Sequence, residues 1–278
     1  MRIQIHHEIV QTFDPAAKGL IESLRLAPRS HEGQHVIDWR IDVEANCRLR
    51  RTEDAFGNFT DMFSLQGPVE TLRIVAEGVI ETFDCAGVVR NSIERFPPEL
   101  FLRDTDLTAP DAALRALGAT IKSDDKIERL HGLLLVVREA MQDNKDGESD
   151  ASGLTAAQAL ASGKGGARDL AHVFVASARA MGAPARFVSG HYFDDGKAGA
   201  QCHSWAEAYV EKVGWIGFDP VHCICPHESH VRIACGLDWL DAGPVRAASP
   251  GAIAQTMAVI VRQSGFLHAA SAQLQGQQ

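Results

Sequence analysis

At 278 residues, 45% hydrophobic and 23% charged, the chain has the make-up of a globular protein of one large domain or two modest ones. A net charge of -9 with no Lys/Arg run argues against nucleic acid or an anionic membrane as partner. The longest apolar stretch, Gly132 to Val137, falls far short of the ~20 residues that a membrane-spanning helix needs.

The chain opens with Ile3 and Ile5 alternating with polar neighbours, which predicts a strand and not an export signal. Six cysteines at irregular spacings then predict reduced thiols and a cytoplasmic location. Ile37, Trp39, Ile41 and Val43 alternate with charged residues, and Leu72, Ile74 and Ala76 repeat the pattern. Asp54 to Asn58 reads as a turn. Several short strands predict a β-sandwich-like domain over 1–85. Residues 86–107, broken by Pro97-Pro98, read as a connector.

Helical patterning follows. Thr108 is expected to cap a helix running to about Gly118, with Pro110 near its start. Ile127, Leu130, Leu133, Leu134, Val137 and Met141 form the apolar stripe of a second helix. Residues 142–153 are a polar loop, and Thr155 caps a short Ala-rich helix. A further helix opens near Ala167, buries Leu170, Val173, Phe174, Ser177, Ala178 and Met181, and ends at Gly182 and Pro184. Strands are expected at 186–193, 201–210 and 215–219, with a turn at 194–196. The expected fold class is α+β, with a helix-plus-antiparallel-sheet domain over 108–265 and a disordered tail over 266–278.

The chemistry centres on three segments. A Gly-rich turn, Gly163 to Gly166, leads into the helix at Ala167. His203 follows 36 positions later on a strand, and Asp219 another 16 on, before Pro220. A thiol at a helix N-terminus is activated by the dipole and the unpaired N–H groups, which also hold an oxyanion. A His moves the proton and an Asp orients the imidazole. In this order the nucleophile position is Ala167, and a methyl group attacks nothing.

Gly165-Gly166-Ala167-Arg168-Asp169-Leu170-Ala171-His172, Cys202-His203-Ser204-Trp205-Ala206-Glu207 and Gly217-Phe218-Asp219-Pro220 together resemble the bacterial transglutaminase-like family, papain-like in its core. Leu24 to Arg29, Gly33-Gln34 and Asp54 to Asn58 extend the resemblance to the N-terminal part, so that it covers about residues 1–260. It implies a β-rich N-terminal domain, a transglutaminase-like catalytic domain, and Cys-His-Asp acyl transfer or amide hydrolysis. Against the family's Gly-Val-Cys-Gln and Gly-His-Ala-Trp, this chain has Gly166 for Val, Ala167 for Cys, Arg168 for Gln and Cys202 for Gly. These neighbouring departures fit natural divergence better than a single engineered replacement. The expected reading is a pseudoenzyme whose groove, with Gly166, Arg168 and Trp205 as its candidates, binds peptide or amide-bearing partners.

Two alternatives stay open. One is an active enzyme using another thiol, though strand alternation should turn Cys202 away from the face that carries His203, Trp205 and Glu207. The other is a metal site in His222, Cys223, Cys225, His227 and His230, where zinc or copper would suit the donors but the spacing of a zinc finger is lacking. No cofactor is expected as the leading reading. Family resemblance implies that Cys225-Pro226 and His230 are structural. Asp169 is expected to support the helix start, His172 to be a buried structural His, and Arg168 to face solvent or an anion.

Overall fold

The computed structural model describes residues 1–143, 153–194, 202–247 and 254–263. Most of the turn expected at 194–196, most of the loop at 142–153, and the tail 266–278 lie outside these residues.

The N-terminal part is β1 (Arg2–Leu24), β2 (Gln34–Val43), β3 (Arg50–Glu53) and β4 (Phe59–Thr82). It is built on two very long antiparallel strands, β1 and β4, where the periodicity suggested many short ones. Buried positions along β1 run Ile3, Ile5, His7, Ile9, Gln11, Phe13 and then Leu20, Glu22, Leu24. The register slips between Thr12 and Gly19, so the inward set passes from odd to even numbers. Ile9 and Phe13 from one half then share a core with Leu20, Leu24, Phe63, Leu72 and Ile74. The bent sheet thus packs on itself, as a sandwich would. In β2 a bulge between Val36 and Asp38 leaves Ile37 exposed, while Trp39, Ile41 and Val43 are half-buried. The turn at Asp54 forms as expected: its carboxylate accepts the N–H groups of Phe56 and Asn58, and Gly57 takes φ +83°.

The expected connector 86–107 is built into the fold. Val88–Val89 is strand β5, and a 3-10 turn at Pro98–Leu102 buries Phe101 against Trp215. Helices α1 (Ala112–Ala119), α2 (Lys126–Ala140) and α3 (Ala156–Ser162) follow, with short parallel strands β6 (Gln142–Asp143) and β7 (Lys164–Gly165) leading to α4 (Ala167–Ala180). Asp111, not Thr108, caps α1, through its Oδ1 and the Leu114 N–H. The Thr108 hydroxyl instead meets the buried Arg179 guanidinium at 2.7 Å. Strands β8 (Ala185–Tyr192), β9 (Cys202–Val210), β10 (Gly214–Phe218) and β11 (His230–Gly236) form a second antiparallel sheet in the order β11-β8-β9-β10-β5.

Helix α4 is the centre of this part. Residues Asp169 to Arg179 are all buried, not only the predicted stripe, because α1, α2 and α3 cover one side and β8 and β9 the other. After the short helix α5 (Trp239–Ala242), strands β12 (Val245–Ala247) and β13 (Ala254–Gln263) leave the second sheet and pair with β1. The patterning predicts one C-terminal domain over 108–265, but Val245–Ala247 and Ala254–Gln263 supply strands to the first sheet. The run Met257-Ala258-Val259-Ile260-Val261 is continuously apolar, with no polar alternation to mark a strand with one buried face.

Candidate active site

Gly163, at φ +65°, ends α3, and β7 delivers Gly165 and Gly166 to the start of α4. A Cβ at Gly165 would lie 2.6 Å from the Asp169 Cβ, so the close turn requires glycine there. Asp169 Oδ2 accepts the Gly166 N–H at 3.1 Å, the half of a capping box that a glycine N-cap allows. Burial raises the Asp169 carboxyl against the opposing pull of Arg168 and Gly166. Ala167 is half-buried at the first helical position, and the N–H groups of Ala167 and Arg168 have no intrahelical acceptor. Arg168 does not reach into solvent as expected. Its side chain is 13% exposed, its Nε is 3.8 Å from Asp169, and the guanidinium stands over the Trp239 ring. His172 is buried and accepts the Trp239 N–H through Nε2 at 3.1 Å.

The second and third members of the expected triad are assembled. His203 and Asp219 are buried, and Nε2 of the one lies 2.7 Å from Oδ2 of the other. With Nε2 committed to the carboxylate, Nδ1 is the nitrogen left to face a nucleophile. Register fixes the rest of this face. His203 opposes Gly190, and Trp205 opposes Val188; Glu207 opposes Arg186 and accepts Nε of both Arg186, at 2.6 Å, and Arg232, at 2.8 Å. Burial alone would raise the Glu207 carboxyl, but Arg232 and Arg186 outweigh it and hold it at about 2. Glu207 is therefore a fixed counter-ion. Trp205 is buried, with its ring over Gly190 and edge-on to His230.

Asp219 carries more than the dyad. Its Oδ2 also receives His222 Nδ1 at 2.7 Å and His230 Nε2 at 3.0 Å, while Oδ1 accepts the N–H groups of Val221 and His222. Burial pushes this carboxyl up, and His203 with the three imidazole hydrogen bonds pulls it well below the usual range. Tyr192 stacks on His222 at 4.0 Å. Of the five metal candidates in the 222–230 segment, only His222 and His230 converge, with His203 and Asp219, on ligand atoms within 4.8 Å of one another. Cys225 packs beside Gly87, and neither it nor Cys223 nor His227 joins that group. His230 Nδ1 accepts the His227 N–H, so its proton sits on Nε2, the nitrogen aimed at Asp219. That tautomer suits a hydrogen bond and not a metal bond. Tyr192, Gly190, Arg186 and Arg232 escaped the sequence reading; the pairing of β8 with β9 is what brings them to the dyad.

Cys202 faces away from His203, as strand alternation required. Its Sγ is 3.4 Å from His7 Nε2 and 4.0 Å from Met257 Sδ. Beside the dyad are two small cavities. One, of about 50 Å³, is lined by Trp205, Glu207, His227, His230 and Arg232; the other, of about 20 Å³, by His7, His191, Cys202, His203 and Trp239. A wider dip of about 810 Å³ over Ser64, Gln66 and Glu70 lies on the first sheet, away from these groups.

A bent N-terminal sheet, a buried helix headed by a Gly turn, and a His–Asp pair on adjoining strands define a transglutaminase-like, papain-like fold. The family model for the bacterial transglutaminase-like N-terminal region matches residues 3–81, and that for the transglutaminase-like superfamily matches residues 115–220. The chain belongs to the transglutaminase-like superfamily. It is 26% identical over 278 residues to the uncharacterized protein ML0607 of Mycobacterium leprae, covering 94% of this chain and 97% of that one. It is 22% identical over 249 residues to the uncharacterized protein Rv2569c of Mycobacterium tuberculosis, covering 80% and 79%. A solved structure from Cytophaga hutchinsonii, described as a "putative cysteine protease", superposes with a TM-score of 0.75 at 20% identity, covering 94% of this chain and 90% of that one. At that identity the likeness is one of fold.

Proposed function

We propose that this chain is a transglutaminase-like protein without thiol-dependent acyl transfer or amide hydrolysis, acting in the cytoplasm as a binding protein for peptide or amide-bearing partners. The observation that carries this reading is Ala167 at the head of α4 in a chain whose His203–Asp219 pair is complete at 2.7 Å. A methyl group at that position cannot form an acyl intermediate, whatever the state of the base. Cys202 is a poor substitute, because its sulfur lies on the strand face opposite His203. The cavity of about 50 Å³ beside Trp205 and His230 suits the end of one side chain, such as a carboxamide, more than an enclosed peptide.

The test compares wild type, Ala167→Cys, and Ala167→Cys with Arg168→Gln on glutamine- and amide-containing peptides. Wild type should bind such peptides and turn none of them over. The cysteine variants should gain hydrolysis or amine transfer that His203→Ala removes. Wild-type turnover that is itself abolished by His203→Ala would refute the loss of activity. Absence of both peptide binding and rescued turnover would refute the retained groove.

A further inference from the structure

Outside the dyad, one other group of metal-capable side chains comes together among the described residues: His7 on β1, His191 on β8 and Cys202 on β9. We propose that these three residues bind a thiophilic d10 metal ion, Cu⁺ or Zn²⁺, between the two sheets. The inference is independent of whether acyl transfer has been lost.

Geometry is the first support. One nitrogen of each imidazole and the Cys202 sulfur lie within 4.8 Å of one another. Bonds of ~2.1 Å to nitrogen and ~2.3 Å to sulfur in a tetrahedral site place N and S about 3.6 Å apart. His7 Nε2 and Cys202 Sγ are already at 3.4 Å. The two rings stand edge to face, with centroids 5.2 Å apart and planes at 89°. The Met257 thioether, 4.0 Å from Cys202 Sγ, is a second sulfur donor beside the first. The cavity they share is about 20 Å³, the room of one water or one ion.

Unsatisfied polar atoms are the second support. His7 and His191 are 1% and 2% exposed, and Nδ1 of each is buried without a hydrogen-bond partner among the described residues. A buried imidazole nitrogen with no partner is costly, and for His191 Nδ1 an ion or water is the ordinary explanation; His7 faces Cys202 through its other nitrogen, Nε2.

Charge balance distinguishes the two ions. Binding turns the Cys202 thiol into a thiolate and releases one proton to solvent. Cu⁺ with one thiolate and two neutral imidazoles has no net charge, which suits a buried site; Zn²⁺ leaves one positive charge. The nearby thioether also favours Cu⁺. Cys202 stands where the family motif has glycine, so this sulfur belongs to the same set of departures as Ala167. Its effect would be to tie β1 to β8 and β9 at the wall of the cavity that His203 also lines.

The test titrates metal-free, reduced protein with Cu⁺ and with Zn²⁺ in competition with a chromophoric chelator, and records X-ray absorption of the loaded protein. One equivalent of either ion should bind per chain, with sulfur in its first shell. Cys202→Ser and His191→Gln should each weaken binding by about tenfold or more, while His222→Asn, in the Asp219 cluster, should leave it unchanged. Three results would each overturn the site: no binding of either ion, a first shell without sulfur, or binding that His222→Asn removes and Cys202→Ser does not. Because the wild-type spectrum requires no variant, a misfolded substitution does not shelter the proposal.

Discussion

Gly190 shows how a single residue positions the dyad. It opposes His203 in the β8–β9 ladder, and a Cβ there would lie 2.1 Å from the Val231 carbonyl oxygen and 2.7 Å from the Trp205 ring. A backbone oxygen cannot swing aside, so Gly190→Ala must separate β8 from β11 or displace Trp205. The expected loss is about 1–3 kcal/mol, as for other overpacked cores. It would be read as a lower denaturant midpoint with an unchanged slope, accompanied by a changed near-ultraviolet tryptophan signal. A variant as stable as wild type would show that the approach of these strands is looser than the geometry states. Glu207 is the contrasting residue: it belongs to the recognisable His-Ser-Trp-Ala-Glu run, yet its carboxylate is occupied by Arg186 and Arg232 and is closed to chemistry.

At the scale of elements, the decisive features are the burial of α4 and the return of the chain to β1. Because Asp169 to Arg179 are all buried, the helix that begins at Ala167 is held in place whether or not its first residue reacts. Strand β13 covers the edge of β1 from Ile3 to Thr12 and buries Val259 and Val261 with Ile3 and Ile5. Ending the chain at residue 253 would strip that edge and leave a long row of unpaired backbone groups beside apolar side chains. The shortened protein is expected to elute as larger species on size exclusion and to melt at a lower temperature. Should it stay monodisperse and equally stable, β13 would be an accessory and not part of the first sheet's core.

Across the whole molecule, acid sensitivity follows from the number of buried imidazoles. His7 and His230 are held at about 4 and His172 at about 3, mainly by burial, and His191 lies well below its usual value for the same reason. These groups take up protons less readily folded than unfolded, where the ordinary value is 6.5. Their contribution to stability is therefore complete above about pH 6.5 and is lost as pH falls toward 4. Asp219 and Glu207, held low by their partners, add a further loss below the ordinary carboxylate range. Glu22, Asp169 and Asp241, raised by burial, act in the opposite sense, but they are fewer than the histidines and carboxylates that lose. The melting temperature should decline steadily from pH 7 to pH 4.5, before ordinary carboxylates titrate. A flat profile over that range would contradict the burial of these rings.

Much of this was readable along the chain. Periodicity located the strands near 37–43 and 72–76, the stripe of α2 and the limits of α4, since each is a local pattern of apolar residues and caps. The order Gly turn, His203, Asp219 pointed to the family, because that chemistry depends on residue type in sequence. Contacts between distant segments were not readable. That β12 and β13 return to β1, that three histidines share Asp219, and that His7 meets His191 and Cys202 all depend on strand pairing over separations of up to about 260 residues. One slip of register in β1 decides which of its residues face inward, and no local pattern records it. The sequence alone determined that alanine stands at 167 in a transglutaminase-like order of segments; only tertiary packing decided what surrounds that order, because buried side chains choose partners across the sheet and not along the strand.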